Sequence, residues 1–149
     1  QPCRCTQKEI ARYLGRISGP LLDRIDMQLE VTAVPVRQIT ESAPEEPSAD
    51  IHKRVQAARE RQQKRYAGEG ISCNAELSAR QLETFCPLDD ACRELLGKAC
   101  DTYHLSMRAV SRVRKVARTI ADLAGAEEIG RAHLLEALRY RNLEGNYWK

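Results

Sequence analysis

A chain of 149 residues has room for one domain of ordinary size, or a small domain with an appendage, and can bury roughly 70% of its unfolded surface. With 42% hydrophobic but only 5% aromatic residues, including one Trp and one Phe, its core must come from Leu, Ile, Val and Ala, which favours helix packed on helix. The net charge of +3 neither demands nor excludes a nucleic-acid partner, and no apolar run approaches the roughly 20 residues of a membrane-spanning helix.

The chain opens on "CTQKEIARYLGR", where Thr6 and Glu9 have capping-box spacing and predict a short helix from about 7 to 15. Gly19 frees the backbone for a turn, and Pro20 suits the first position of one further helical turn, "PLLDR". In "IDMQLEVTAV", Ile25, Met27, Leu29, Val31 and Ala33 alternate with Asp26, Gln28, Glu30 and Thr32, a period of two that predicts a half-buried strand. From Pro35 to Pro47 the composition turns to Pro, Ser and Glu, which reads as a linker and divides the chain into 1–36, a linker at 37–49, and 50–149.

Beyond the linker, Ile51, Val55 and Ala58 form a narrow stripe on a basic helix of about 50–66, ended by "AGEG". Ser78 with Gln81 repeats the capping-box pattern and opens a short helix to about Cys86; Pro87 stops it, and Asp89 can cap the next, to about Tyr103. Ser106 opens the strongest helix, with Val110, Val113, Ala117, Ile120 and Ala124 on one face until Gly125. A last helix of about 130–141 is expected to bury Leu134, Leu135 and Leu138. The expected fold is mainly α: a small helical bundle preceded by a short helix and one β-strand, which cannot close a sheet alone.

Charge is unevenly spread. His52–Tyr66 holds six Lys or Arg against Glu60 alone, and His104–Arg118 holds five with no acid, so either run could form the positive face that a polyanion needs or simply be a solvated helix face. Arg24 stands between Asp23 and Asp26, where it is either half of a surface ion pair or held for a phosphate on another molecule. Arg108 falls in the first turn of its helix, where the dipole mildly disfavours a cation unless a phosphate is present.

Six cysteines without a visible leader suggest a reducing, cytoplasmic setting. Cys3 and Cys5 offer two of the four ligands that structural zinc needs, so no metal is expected here, and neither a Ser-His-Asp nor a paired-carboxylate site can be assembled. A phosphate loop, G-x-x-x-x-G-K-S/T, is absent: Gly97-Lys98-Ala99 lacks both its first glycine and its hydroxyl.

"RISGPLLDRID" followed by a strand, a linker, and a bundle with "LSMRAVSRVRKVARTIADLAG" and "HLLEALRYR" resembles the C-terminal part of the magnesium-chelatase-like AAA+ ATPases, nearest to their bacterial competence-related branch. The resemblance runs from "PCRCT" to "LRYR". It implies that 1–36 is the end of an incomplete α/β ATPase core, and that 50–149 is an AAA+ lid-type bundle. Arg24 in "LLDR" matches the arginine finger that reaches a neighbouring subunit's nucleotide; Arg108 in "SMRAV" matches the sensor-2 arginine, which contacts its own subunit's nucleotide. Cys3 and Cys5 match the second half of a cysteine cluster whose first half would lie upstream.

The expected function is therefore that of the lid and finger segment of a homo-hexameric ATPase, using ATP and Mg²⁺ in its full-length parent and coupled to DNA remodelling or branch migration. Lys53, Arg54, Arg61, Lys64 and Arg65 are the candidate DNA contacts. The same segment of a chelatase motor that drives metal insertion into a tetrapyrrole is the first alternative, and a free-standing basic helical nucleic-acid-binding module the second. These 149 residues are expected to be monomeric and, lacking a phosphate loop, to hold no nucleotide and not to hydrolyse ATP alone.

Overall fold

The computed structural model describes residues 4–31 and 45–141. Helix α1 (Gln7–Leu14) starts where sequence places it: the Thr6 hydroxyl accepts from the Glu9 amide, and the Glu9 carboxylate accepts from the Thr6 amide at 2.7 Å. These bonds favour the ionised carboxylate and hold Glu9 below its usual range. One further turn, α2 (Gly19–Leu22), buries Leu22.

Residues 25–31, expected as a strand, form none, and no strand occurs among the described residues. The alternation survives, but its apolar members are uncovered, with Ile25 40% and Val31 92% exposed. Period two says which face would be buried; it does not supply the neighbouring strand whose amides and carbonyls a ladder needs. Residues 32–34 of that expectation, and 37–44 of the expected linker, lie outside the described residues. Ser48 and Ala49, assigned to the linker, already belong to α3 (Ser48–Arg65).

The rest is a helical bundle: α4 (Ala79–Phe85), α5 (Asp90–Tyr103), α6 (Met107–Leu123) and α7 (Arg131–Arg139), with a 3₁₀ turn at Asn74–Glu76. Caps fall on the expected residues. Ser78 and Gln81 form a reciprocal box, the Asp89 carboxylate accepts from the Cys92 amide at 2.7 Å, and the Ser106 hydroxyl accepts from the Ala109 amide at 3.1 Å. Gly125 ends α6 at φ +76°, with the Ala126 amide bonding back to the Ala121 carbonyl at 2.8 Å.

Helix α6 is central, packing against α3, the 3₁₀ turn, α4 and α7, while α5 packs on α7. Its innermost line is Ala109, Val113, Ala117 and Ala121, each at most 1% exposed; it keeps Val113 and Ala117 of the expected stripe, while Val110 and Ile120 flank it and Ala124 is exposed. Small residues every fourth position let the neighbouring helices approach closely. Helix α7 buries Leu134 and Ala137, whereas Leu135, expected inside, is 42% exposed because it points toward a groove beside α5.

A polar network fastens α3 to α6. Asp122, 1% exposed, accepts from both ends of the Arg65 guanidinium at 2.5 and 2.9 Å, from Asn74 Nδ2 at 2.9 Å, and pairs with Arg118 at 3.1 Å. Asn74 Oδ1 also accepts from the Tyr66 hydroxyl at 2.7 Å, and the Asn74 backbone N–H donates to Gln62 Oε1 at 3.1 Å. Arg118 donates to the Ala126 and Glu127 carbonyls, closing the loop after α6. Each buried charge is thus multiply bonded, the condition under which burying it is tolerable.

Candidate functional site

The aspartates beside Arg24 do not neutralise it. Asp23 accepts from Ser106 Oγ at 2.9 Å and from Arg141 Nη2 at 3.3 Å; Asp26 pairs with Arg112 of α6. Arg141 Nη1 donates to the Ile25 carbonyl at 2.5 Å, and the Gln28 amide donates to the Tyr140 carbonyl at 2.8 Å. Both carboxylates are therefore spent on docking the segment to the bundle. Arg24, exposed, has no side-chain partner among the described residues.

Ser106 joins the two halves of this corner. As the N-cap of α6 it accepts from the helix, and its hydroxyl proton goes to Asp23, so both of its hydrogen-bonding functions are used. The Asp23 carboxylate against the start of α6 also complements the positive end of the helix dipole. Two residues on, Arg108 is exposed and without a side-chain partner among the described residues. The other bases of α6 are engaged: Arg112 with Asp26, Arg114 with Glu83 and the Leu82 and Cys86 carbonyls, Lys115 with the Ala75 carbonyl, and Arg118 in the buried network. Of the five bases in the run His104–Arg118, Arg108 is therefore the one left without a side-chain partner among the described residues. At this corner, two guanidinium groups leave adjoining backbone segments without a side-chain partner among the described residues, and each is able to meet phosphate oxygens.

The candidate DNA contacts divide. Lys53 pairs with Asp50 at 3.0 Å and Arg54 with Glu46 at 2.7 Å, exposed pairs of little strength that a phosphate can displace. Lys64 is exposed, and Arg61 is exposed with its guanidinium beside Gly125 at the end of α6. Arg65 is a correction: it turns inward to Asp122, whose carboxylate holds it even more firmly protonated than usual, and so it is withdrawn from the basic face.

Among the described residues no three His, Cys, Asp or Glu groups gather as metal ligands; Cys5 is exposed, and Cys3 lies outside the described residues. Cys86 and Cys92 are fully buried, and burial pushes each thiol up to about 11. His133 Nδ1 accepts from the Gly130 amide at 3.0 Å and thereby caps α7. Sequence reasoning missed Asn74, Gln62, Asp122 and Arg141. For Asp122 there was a signal, since Arg118 and Asp122 stand four apart on one helix, at the spacing of an ion pair.

The chain matches two family models, "Magnesium chelatase, subunit ChlI" over residues 1–39 and "Magnesium chelatase, subunit ChlI C-terminal" over residues 45–141. It is 42% identical over 142 residues to the uncharacterized protein YifB of Salmonella typhimurium, covering 95% of this chain and 27% of that protein. To the competence protein ComM of Haemophilus influenzae it is 42% identical over 139 residues, 93% of this chain and 26% of that one. The uncharacterized protein Rv2897c of Mycobacterium tuberculosis is 35% identical over 141 residues, 95% of this chain and 28% of its own length. The chain thus spans about a quarter of the length of the curated relatives it matches.

Proposed function

Because the chain belongs to the magnesium chelatase subunit ChlI family, we propose that it is the C-terminal part of a ring-forming ATPase, with 1–36 ending its α/β core and 50–149 serving as its helical lid. In this reading Arg24 is the finger that meets a nucleotide across a subunit boundary, and Arg108 is the lid arginine that binds nucleotide phosphates. The observation that carries it is the corner itself: Asp23 and Asp26 are turned to the bundle, which leaves Arg24 and Arg108 exposed beside one another's backbone segments.

ATP with Mg²⁺ fits the exposed chemistry only at its phosphate edge. The planar forks of Arg24 and Arg108 suit phosphate oxygens, whereas no G-x-x-x-x-G-K-S/T loop is present in the 149 residues to cradle them. Bound in the parent, the nucleotide supplies the scissile phosphoanhydride. What this chain adds is positive charge at the transferring phosphoryl group and a lid over it, a contribution worth roughly 10³ to 10⁵ in turnover for a finger. The 149 residues by themselves are expected to release no phosphate.

For the work coupled to that turnover we propose remodelling of DNA in the cytoplasm by a homo-hexamer. The exposed bases Lys53, Arg54, Arg61 and Lys64 on α3 support this, as does the likeness to a protein named for competence. The chelatase alternative draws on the family's description, but these exposed bases favour the polyanion. In the full-length protein, Arg24→Ala is expected to lower steady-state phosphate release roughly 10³-fold, to a residual rate that is still measurable, while leaving nucleotide affinity within about 2-fold, and Arg108→Ala to weaken both. Unchanged turnover in Arg24→Ala would refute the proposal.

A further inference from the structure

Arg141 follows the last turn of α7, in the "LRYR" stretch to which the nucleotide chemistry assigns no role. Its side chain is 2% exposed, yet it reaches out of the bundle to the turn that carries Arg24, donating to the Ile25 carbonyl at 2.5 Å and to the Asp23 carboxylate at 3.3 Å. Little apolar burial holds that turn: among residues 4–31 Leu22 is the buried hydrophobic residue, while Leu21 and Ile25 are 48% and 40% exposed. The turn is kept in place chiefly by polar bonds, and Arg141 spans two of its residues, one on each side of Arg24 in sequence.

We propose that Arg141 is a positioning residue for Arg24, clamping Asp23 and the Ile25 carbonyl from both sides so that the finger leaves the molecule at a fixed place relative to Arg108. The inference rests on the reading of Arg24 given above. Two observations carry it. First, a buried guanidinium is costly unless its donors are bonded, so Arg141 favours the turn geometry that gives acceptors to its two terminal nitrogens. Second, Asp23 is shared between Arg141 and Ser106, so the clamp and the start of α6 act on a single carboxylate. A displacement of about 1 Å in a phosphate-binding group can cost on the order of 100-fold in rate without weakening ground-state binding.

The test is steady-state phosphate release by the full-length protein, resolved into kcat and KM, with thermal melting of every variant. Arg141→Gln should lower kcat roughly 10- to 100-fold with KM within about 2-fold, and Arg141→Lys, with charge but no fork, should fall between. In an Arg24→Ala background Arg141→Gln should lower kcat no further, since the group it positions is gone. Arg114→Gln, which removes a partly buried guanidinium capping α4 elsewhere, should lower the melting temperature with kcat unchanged. If Arg141→Gln fails to fold, Asp23→Asn, which still accepts from Ser106 but offers Arg141 no charge, should reproduce the kcat loss. The clamp is overturned if Arg141→Gln lowers kcat by the same factor with and without Arg24, or if only the melting temperature moves. Should Arg24→Ala itself leave kcat unchanged, the finger reading falls and the clamp falls with it; should Arg24→Ala cut kcat to its residual level while Arg141→Gln and Asp23→Asn do not lower it, the clamp alone falls.

Discussion

At the residue scale the sharpest contrast is between charges that are used and charges that are held free. Asp122 is fully buried and bonded to Arg65, Arg118 and Asn74, so Asp122→Ala would leave two guanidinium groups uncompensated in the interior. We expect a loss of about 3–5 kcal/mol in urea unfolding, against less than about 1 kcal/mol for Lys53→Ala at its exposed pair. The thiols give a pH signature. Cys86 and Cys92 ionise only near about 11 in the fold, against 9.0 for an ordinary thiol. Their contribution is complete below pH 9.0 and is lost as pH rises toward 11, because the unfolded chain releases its thiol protons first. Unfolding free energy should therefore decline over that window by up to about 1.4 kcal/mol per pH unit for each thiol, and less steeply when both are replaced by Ala. At pH below that window an alkylating reagent should label exposed Cys5 at once and Cys86 and Cys92 only as the fold opens.

At the element scale, caps and terminators were legible in the sequence because their bonds lie within a few residues: Thr6 with Glu9, Ser78 with Gln81, Asp89, Ser106, and Gly125 at φ +76°. Long-range partners were not legible. Nothing local marks Arg65 as reaching Asp122, 57 positions away, rather than solvent beside Arg61 and Lys64. The strand expectation failed for the same reason, since the alternation of Ile25–Val31 is a local property and a ladder is not. Helix α3 shows how a single element can divide: residues 48–57 are exposed throughout, whereas Ala58, Gln62 and Arg65 face α6. Hydrogen exchange should therefore be faster at the amides of 52–57 than at those of 58–65, with protection in the second half lost in Asp122→Ala. Equal protection along α3 would mean that its first half is packed.

At the scale of the whole molecule, the segment 4–31 is fastened to the bundle chiefly by charge and hydrogen bonds, through Asp23, Asp26 and Gln28, while Leu22 is buried and Leu21, Ile25, Met27, Leu29 and Val31 stay exposed. The chain spans about a quarter of the length of its relatives, and under the proposed function these exposed side chains are where the ATPase core would pack. The resemblance read from "SGPLLDRID" and "RVARTIADLAG" holds, and the second of these stretches proves to be largely architectural, since Arg118 and Asp122 lie in the buried network. For the proposed DNA contact, the intact parent should bind branched DNA with an affinity that falls steeply with salt; Lys53→Ala or Arg54→Ala should each reduce the log–log slope by about 1. Salt-insensitive binding would remove DNA from the account.

The most direct test is the structure of the full-length protein assembled with a non-hydrolysable ATP analogue. The account predicts the Arg24 guanidinium within hydrogen-bonding distance, about 2.7–3.2 Å, of phosphate oxygens bound by the adjacent subunit, with Asp23 still on Ser106 and Arg141. An Arg24 side chain directed into bulk solvent in the loaded ring would contradict it.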